Sequence, residues 1–196
     1  MTKNGNELFF PGNILILTGP PGAGKTTTAS SLAEISGGPA VHLHSDDFWH
    51  FIRKGYVPPY LPASRRQNEV VMNVIAAAAE TYARGQYFVI LDGIVGPWFL
   101  SAFKQVQAPL HYIVLRPASE VSVFRAQNRG GNQLVDAEVI GDLHRQFTGL
   151  GDLEQHVIET TAHEPAETLQ AVQARLSDGS ARLRIADLKN QAGNPA

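Results

Sequence analysis

Eight consecutive residues, Gly19-Pro20-Pro21-Gly22-Ala23-Gly24-Lys25-Thr26, have the types and spacing for phosphate chemistry. They fit G-x-x-x-x-G-K-[ST], the P-loop pattern that holds a nucleoside triphosphate. Gly19, Gly22 and Gly24 let the backbone bend tightly and turn successive N–H groups inward, which makes a concave nest for an anion. A helix N-terminus behind such a loop adds unsatisfied donors and a partial positive charge. In that setting Lys25 reaches the β- and γ-phosphates and the Thr26 hydroxyl ligates Mg²⁺, with Thr27 completing the nucleotide-binding stretch.

Two acidic positions complement the loop. Ser45-Asp46-Asp47 follows an extended stretch, Ala40 to His44. One of the three could simply cap the next helix, but a cap does not use a pair of carboxylates. A carboxylate at that sheet edge is placed to accept a proton from a hydroxyl attacking the γ-phosphorus; Asp46 is the candidate, with Asp47 contacting substrate or a Mg²⁺-bound water. Farther on, Phe88-Val89-Ile90-Leu91 runs into Asp92-Gly93. An apolar strand ending in Asp is the Walker-B arrangement, in which Asp92 holds Mg²⁺ or its waters.

Basic residues fall in three places. Arg125 and Arg129 stand at i and i+4 on one helix, just before the breaker Gly130-Gly131-Asn132-Gln133. The pair predicts a closing lid over about 126–137 whose arginines neutralise charge on the transferred phosphoryl group. Arg145, on the helix after it, is a further candidate for binding the substrate. Arg53, Arg65 and Arg66 flank the Pro- and Tyr-rich loop 55–63, where they could grip an anionic acceptor within a substrate-binding region at 46–68. The loop reads equally as a flap and as a surface loop pinned by its own aromatics, and every arginine reads equally as a solvated charge. Trp98 packs on substrate or on the core.

These residues need elements to hold them. Ile14-Leu15-Ile16-Leu17 is apolar throughout, as befits a strand buried on both faces. Further strands are expected at 40–44, 87–91 and 110–115, with a weaker one at 156–159. Helices are expected at 27–35, at 64–84 with its stripe of Val70, Val71, Val74, Ile75 and Ala78, from Gly96-Pro97-Trp98-Phe99, around Phe124–Arg129, at 136–148 and after Pro165. Strands alternating with helices predict an α/β protein with a parallel sheet, right-handed crossovers and a site beyond the C-terminal strand ends. Residues 1–178 form the expected single domain, followed by a polar tail over 179–196. Thr160-Thr161, after the fifth strand, is placed to meet the adenine.

Among 196 residues the formal net charge is −2, which gives no basic field for nucleic acid, and there is no cysteine for disulfides, thiol catalysis or Cys-based zinc sites. Met1 to Asn13 lacks the apolar segment of a secretory signal, and no stretch is apolar enough to span a membrane. The expectation is a cytoplasmic protein without membrane or nucleic-acid partners, a monomer or homodimer. His42 and His44 share a strand face, but zinc is not expected there without a third ligand. His144 is expected on a helix surface.

These motifs resemble the small P-loop kinases: shikimate and gluconate kinases, chloramphenicol phosphotransferase and the nucleoside monophosphate kinases. The resemblance covers about Ile14 to Leu176. It rests on the glycine loop, on His44-Ser45-Asp46, on Ile90-Leu91-Asp92-Gly93 and on Arg-x-x-x-Arg before a short lid. It implies a three-layer fold with strand order 2-3-1-4-5 and an ATP- and Mg²⁺-dependent transfer to an acceptor hydroxyl touched by Asp46. Nucleoside monophosphate kinases follow the Asp-Gly with an aromatic, Pro and Arg. Ile94-Val95-Gly96-Pro97-Trp98 supplies no arginine, which favours the antibiotic- and metabolite-kinase branch. A nucleoside monophosphate kinase is the alternative, and a nucleotide-gated NTPase switch without a small-molecule acceptor is a second.

Overall fold

Strand β1, Ile14–Thr18, is buried along its whole length, with Ile14 and Ile16 in one hydrophobic cluster and Leu15 and Leu17 in the other. Alternate side chains of a strand leave by opposite faces, so this split places β1 between two cores. Its neighbours repeat the split: Val89 and Leu91 against Phe88 and Ile90, then Tyr112 and Val114 against Ile113 and Leu115.

The computed structural model describes residues 8–128 and 136–184. Strands β2 (Ala40–His44), β3 (Phe88–Gly93), β4 (Leu110–Arg116) and β5 (Val157–Glu159) join β1 in one five-stranded sheet, order β2-β3-β1-β4-β5, every pairing parallel. This is the order that the resemblance implies. Helices α1 (Lys25–Glu34) and α6 (Pro165–Ser177) cover one face. Helix α3 (Arg65–Arg84) and the 3-10 turn Pro97–Phe103 cover the other. Short helix α2 (Ser45–His50) follows β2, and α4 (Ser119–Gln127) and α5 (Ala137–Arg145) stand between β4 and β5.

Three boundaries differ from expectation for physical reasons. Helix α1 begins at Lys25 rather than Thr27, because Gly24 in the left-handed region serves as N-cap directly off the loop. The segment opened by Gly96-Pro97 is a 3-10 turn, not an α-helix. Packing also continues past residue 178: Ala181 and Leu183 are buried, and the Tyr112 and Leu183 amides bond the Ala181 and Leu110 carbonyls along β4. Among the described residues no helix is long and apolar enough to cross a membrane.

Candidate active site

The loop between β1 and α1 is held tight at two glycines. A Cβ on Gly19 (φ 141°) would sit 2.0 Å from the Leu115 carbonyl oxygen, and one on Gly22 (φ 77°) would sit 2.2 Å from that of Ser122. No side chain is possible at either position without moving backbone. Buried Ser122 adds a hydrogen bond to the Pro21 carbonyl at 2.5 Å, tying α4 to the loop. Gly24 (φ 89°) faces open space, and no side chain caps α1. The first amides of that helix therefore point at the loop mouth, where a phosphate can take them. Lys25 is buried, its Nζ donating to the Pro20 carbonyl at 2.8 Å across the loop.

Asp92 and Thr26 are in direct contact: the Thr26 hydroxyl donates to Asp92 Oδ2 at 2.6 Å. That bond uses the hydroxyl proton and leaves the oxygen lone pairs for a hard cation. On the other carboxylate oxygen, His42 Nε2 lies at 2.7 Å and His44 Nδ1 at 3.0 Å. Register explains the convergence. His44 pairs with Asp92 and His42 with Ile90 across adjacent parallel strands, so all three side chains leave by the α1 face. Burial alone would raise the Asp92 pKa, but hydrogen bonds from His42, His44 and Thr26 outweigh it and hold the group well below the usual carboxylate range. Ionised, acid-resistant and flanked by a hydroxyl oxygen, Asp92 fits a Mg²⁺ site on the chemistry of its donors.

Asp46 and Asp47 occupy the exposed first turn of α2. Neither caps the helix: its N-cap is His44, without a side-chain bond. Asp46 Oδ2 lies 3.8 Å from His44 Nε2, so one imidazole stands between the Asp92 and Asp46 carboxylates. Ser45, buried against Gly93, directs its hydroxyl toward Asp46 Oδ1 at 3.4 Å.

The remaining candidates scatter. Arg125 donates to the carbonyls of Thr160, Thr161 and His163, so it fastens α4 to the loop after β5 in this structure. Arg129 and the lid residues 129–135 lie outside the described residues. Exposed Arg145 is paired with Asp142 on its own helix. Arg53 is exposed, and Arg65 pairs with Glu69. Trp98 is half-buried, its ring tilted against Phe147 with centroids 5.5 Å apart and lying where a Gly96 Cβ would be, so it packs on the core. His144 is not on the surface: it is buried and its Nε2 donates to the Pro117 carbonyl at 2.8 Å. The loop 55–63 is pinned by polar side chains rather than by its aromatics. Gln67 brackets the Val57 backbone, and Asn68 joins Trp49, Ser64 and the Pro59 carbonyl.

Sequence reasoning missed the two histidines on Asp92 and the Ser122 tie. The first was within reach, since His-x-His ending one strand and Asp ending another share a face when those strands pair in parallel. The second depends on how closely α4 approaches the loop, which spacing does not encode.

A glycine loop clamped between β1 and α1, in a sheet of this order, defines the P-loop kinase fold. The chain belongs to the AAA domain family AAA_33, which matches residues 14–150. No curated protein matches the sequence. Among solved structures it is similar to the Deinococcus radiodurans tunicamycin resistance protein, at 19% identity over 84% of this chain and 95% of that one, TM-score 0.65. It is similar also to a gluconokinase from Sinorhizobium meliloti 1021, at 20% identity over 87% and 96%, TM-score 0.62. Thymidylate kinase from Candida albicans follows at 14% identity over 87% and 94%, TM-score 0.61.

Proposed function

We propose that this protein is a kinase that transfers the γ-phosphate of ATP to a hydroxyl of a small molecule, with Mg²⁺. The observation that carries the reading is the Thr26–Asp92 contact at 2.6 Å behind an open-mouthed glycine loop, with Asp46 exposed at the next strand end. The loop amides and the N-terminus of α1 bind the phosphate chain. Lys25 exchanges its Pro20 carbonyl partner for phosphate oxygens. Thr26 and Asp92 hold Mg²⁺, which supplies charge neutralisation on the phosphates when bound. Asp46 accepts the hydrogen bond of the acceptor hydroxyl and orients it in line with the γ-phosphorus. Arg125 and Arg129 serve at the lid.

The absence of an arginine after Asp92-Gly93 supports an antibiotic or metabolite acceptor over a nucleoside monophosphate. An ADP-release screen across antibiotics, sugars, nucleosides and nucleoside monophosphates tests it. The expected result is acceptor-stimulated turnover in the kinase range of roughly 1–100 s⁻¹ with a hydroxyl compound. In the responding assay, Asp46→Asn should abolish transfer while ATP binding stays near that of the parent. Turnover with a monophosphate alone, no acceptor stimulation at all, or parallel loss of binding in Asp46→Asn contradicts the proposal.

A further inference from the structure

Asp92 is wholly buried and has donors on both oxygens, divided by element: α1 supplies the donor to Oδ2, and β2 supplies two donors to Oδ1. A carboxylate at a metal site can otherwise rotate its plane about its last bond, turning both oxygens away from their partners. Two imidazoles on one oxygen oppose that turn, because it would strand two N–H groups at once. We infer that His42 and His44 are positioning residues that clamp Oδ1 of Asp92, so that Oδ2 is held toward Thr26 and the Mg²⁺ side of the P-loop. This rests on the reading of Thr26 and Asp92 as the cation-holding pair.

The geometry fixes which ring nitrogen does the work at each position. An ionised carboxylate only accepts, so His42 donates from Nε2 and His44 donates from Nδ1. The two rings therefore use opposite ends. His42 reaches from the middle of β2, two residue pairs before Asp92, and needs its far nitrogen. His44 is directly in register and uses its near one. Its far nitrogen is left facing Asp46, 3.8 Å away. The clamp thus also sets where the imidazole between the two acids stands.

Side-chain amides mimic these ends separately. A glutamine amide places its N–H near the imidazole Nε2, and an asparagine amide places its N–H near Nδ1. The test measures Mn²⁺ uptake by the ATP-loaded protein by electron paramagnetic resonance, with ATP affinity in EDTA measured calorimetrically beside it. His42→Ala and His44→Ala should each weaken Mn²⁺ uptake about 10–100-fold, the usual consequence of losing a partner that orients a metal ligand. Metal-free ATP affinity, which depends on the loop amides, should stay at the parent value. His42→Gln and His44→Asn should recover most of the loss, whereas His42→Asn and His44→Gln should not. That crossed pattern is one that a loss of packing cannot produce, and it carries the test if an alanine variant does not fold.

Alanine variants with parent-like Mn²⁺ uptake, amides that rescue interchangeably, or an equal loss of metal-free ATP affinity overturn the clamp. A parent protein that takes up neither ATP nor Mn²⁺ overturns the nucleotide reading and the clamp with it. Parent uptake without any phosphorylated acceptor overturns only the kinase reading.

Discussion

His44 and His111 are pushed in opposite directions by their surroundings. The hydrogen bond to Asp92 raises the His44 pKa, burial opposes it, and the charges of Asp92, Asp46 and Asp47 add to the rise. Its contribution to stability is therefore complete below the ordinary histidine range and is lost as pH climbs through the raised value. His111 is buried under the sheet edge with Nδ1 unpartnered, its Nε2 held by Asn13 Oδ1 at 3.0 Å. Burial, with help from nearby Arg182, lowers its pKa to about 4. The folded protein thus resists a proton that the unfolded chain accepts, and stability falls as pH drops from the ordinary value of 6.5 toward about 4. At about 1.4 kcal/mol per pKa unit the loss reaches about 3 kcal/mol. Urea unfolding at pH 7, 5 and 4 should show this slope in the parent and a shallower one in His111→Gln, which keeps a donor for Asn13. Identical slopes would remove His111 from the explanation.

Among the elements, the contact between α4 and the P-loop is the most constrained. The Gly22 Cα stands against the Ser122 carbonyl, and Ser122 in turn bonds Pro21. Helix α4 then reaches the loop after β5 through Arg125. Gly22→Ala must displace either the loop or the first turns of α4, and φ 77° is itself strained for alanine. We expect a fall in thermal midpoint of several degrees, corresponding to about 1–3 kcal/mol, together with a larger loss of nucleotide affinity than of stability. An alanine variant with parent-like ATP affinity would show that the loop accommodates a side chain. This tie was not legible in the sequence. The elements themselves were: apolar runs with no polar alternation marked strands buried on two faces, and the glycine loop announced a helix behind it, though two residues later than Lys25, where it starts. What spacing did not show was local. Arg125, a lid candidate because it precedes glycines, rests its guanidinium on three carbonyls of the loop after β5 in this structure. His144 looked solvent-facing because its neighbours Asp142 and Arg145 are, yet helical periodicity turns it inward to Pro117.

At the scale of the molecule, the parallel sheet brings the ends of β1, β2 and β3 side by side, with Leu17, His44 and Asp92 at one level. Residues up to 73 positions apart, Gly19 to Asp92, thereby become one site, from the glycine loop through Asp46 to Asp92. The strand-end rule made that gathering foreseeable, and the register within it decided that two histidines meet Asp92. The central claim is that this assembled edge captures a triphosphate through the loop and Lys25. Calorimetric titration of Mg·ATP into the parent and into Lys25→Ala tests it most directly. Saturable one-to-one uptake by the parent, strongly weakened in Lys25→Ala while both proteins unfold at the same temperature, is the expected result. No heat of binding in the folded parent, or undiminished binding in Lys25→Ala, would contradict the claim.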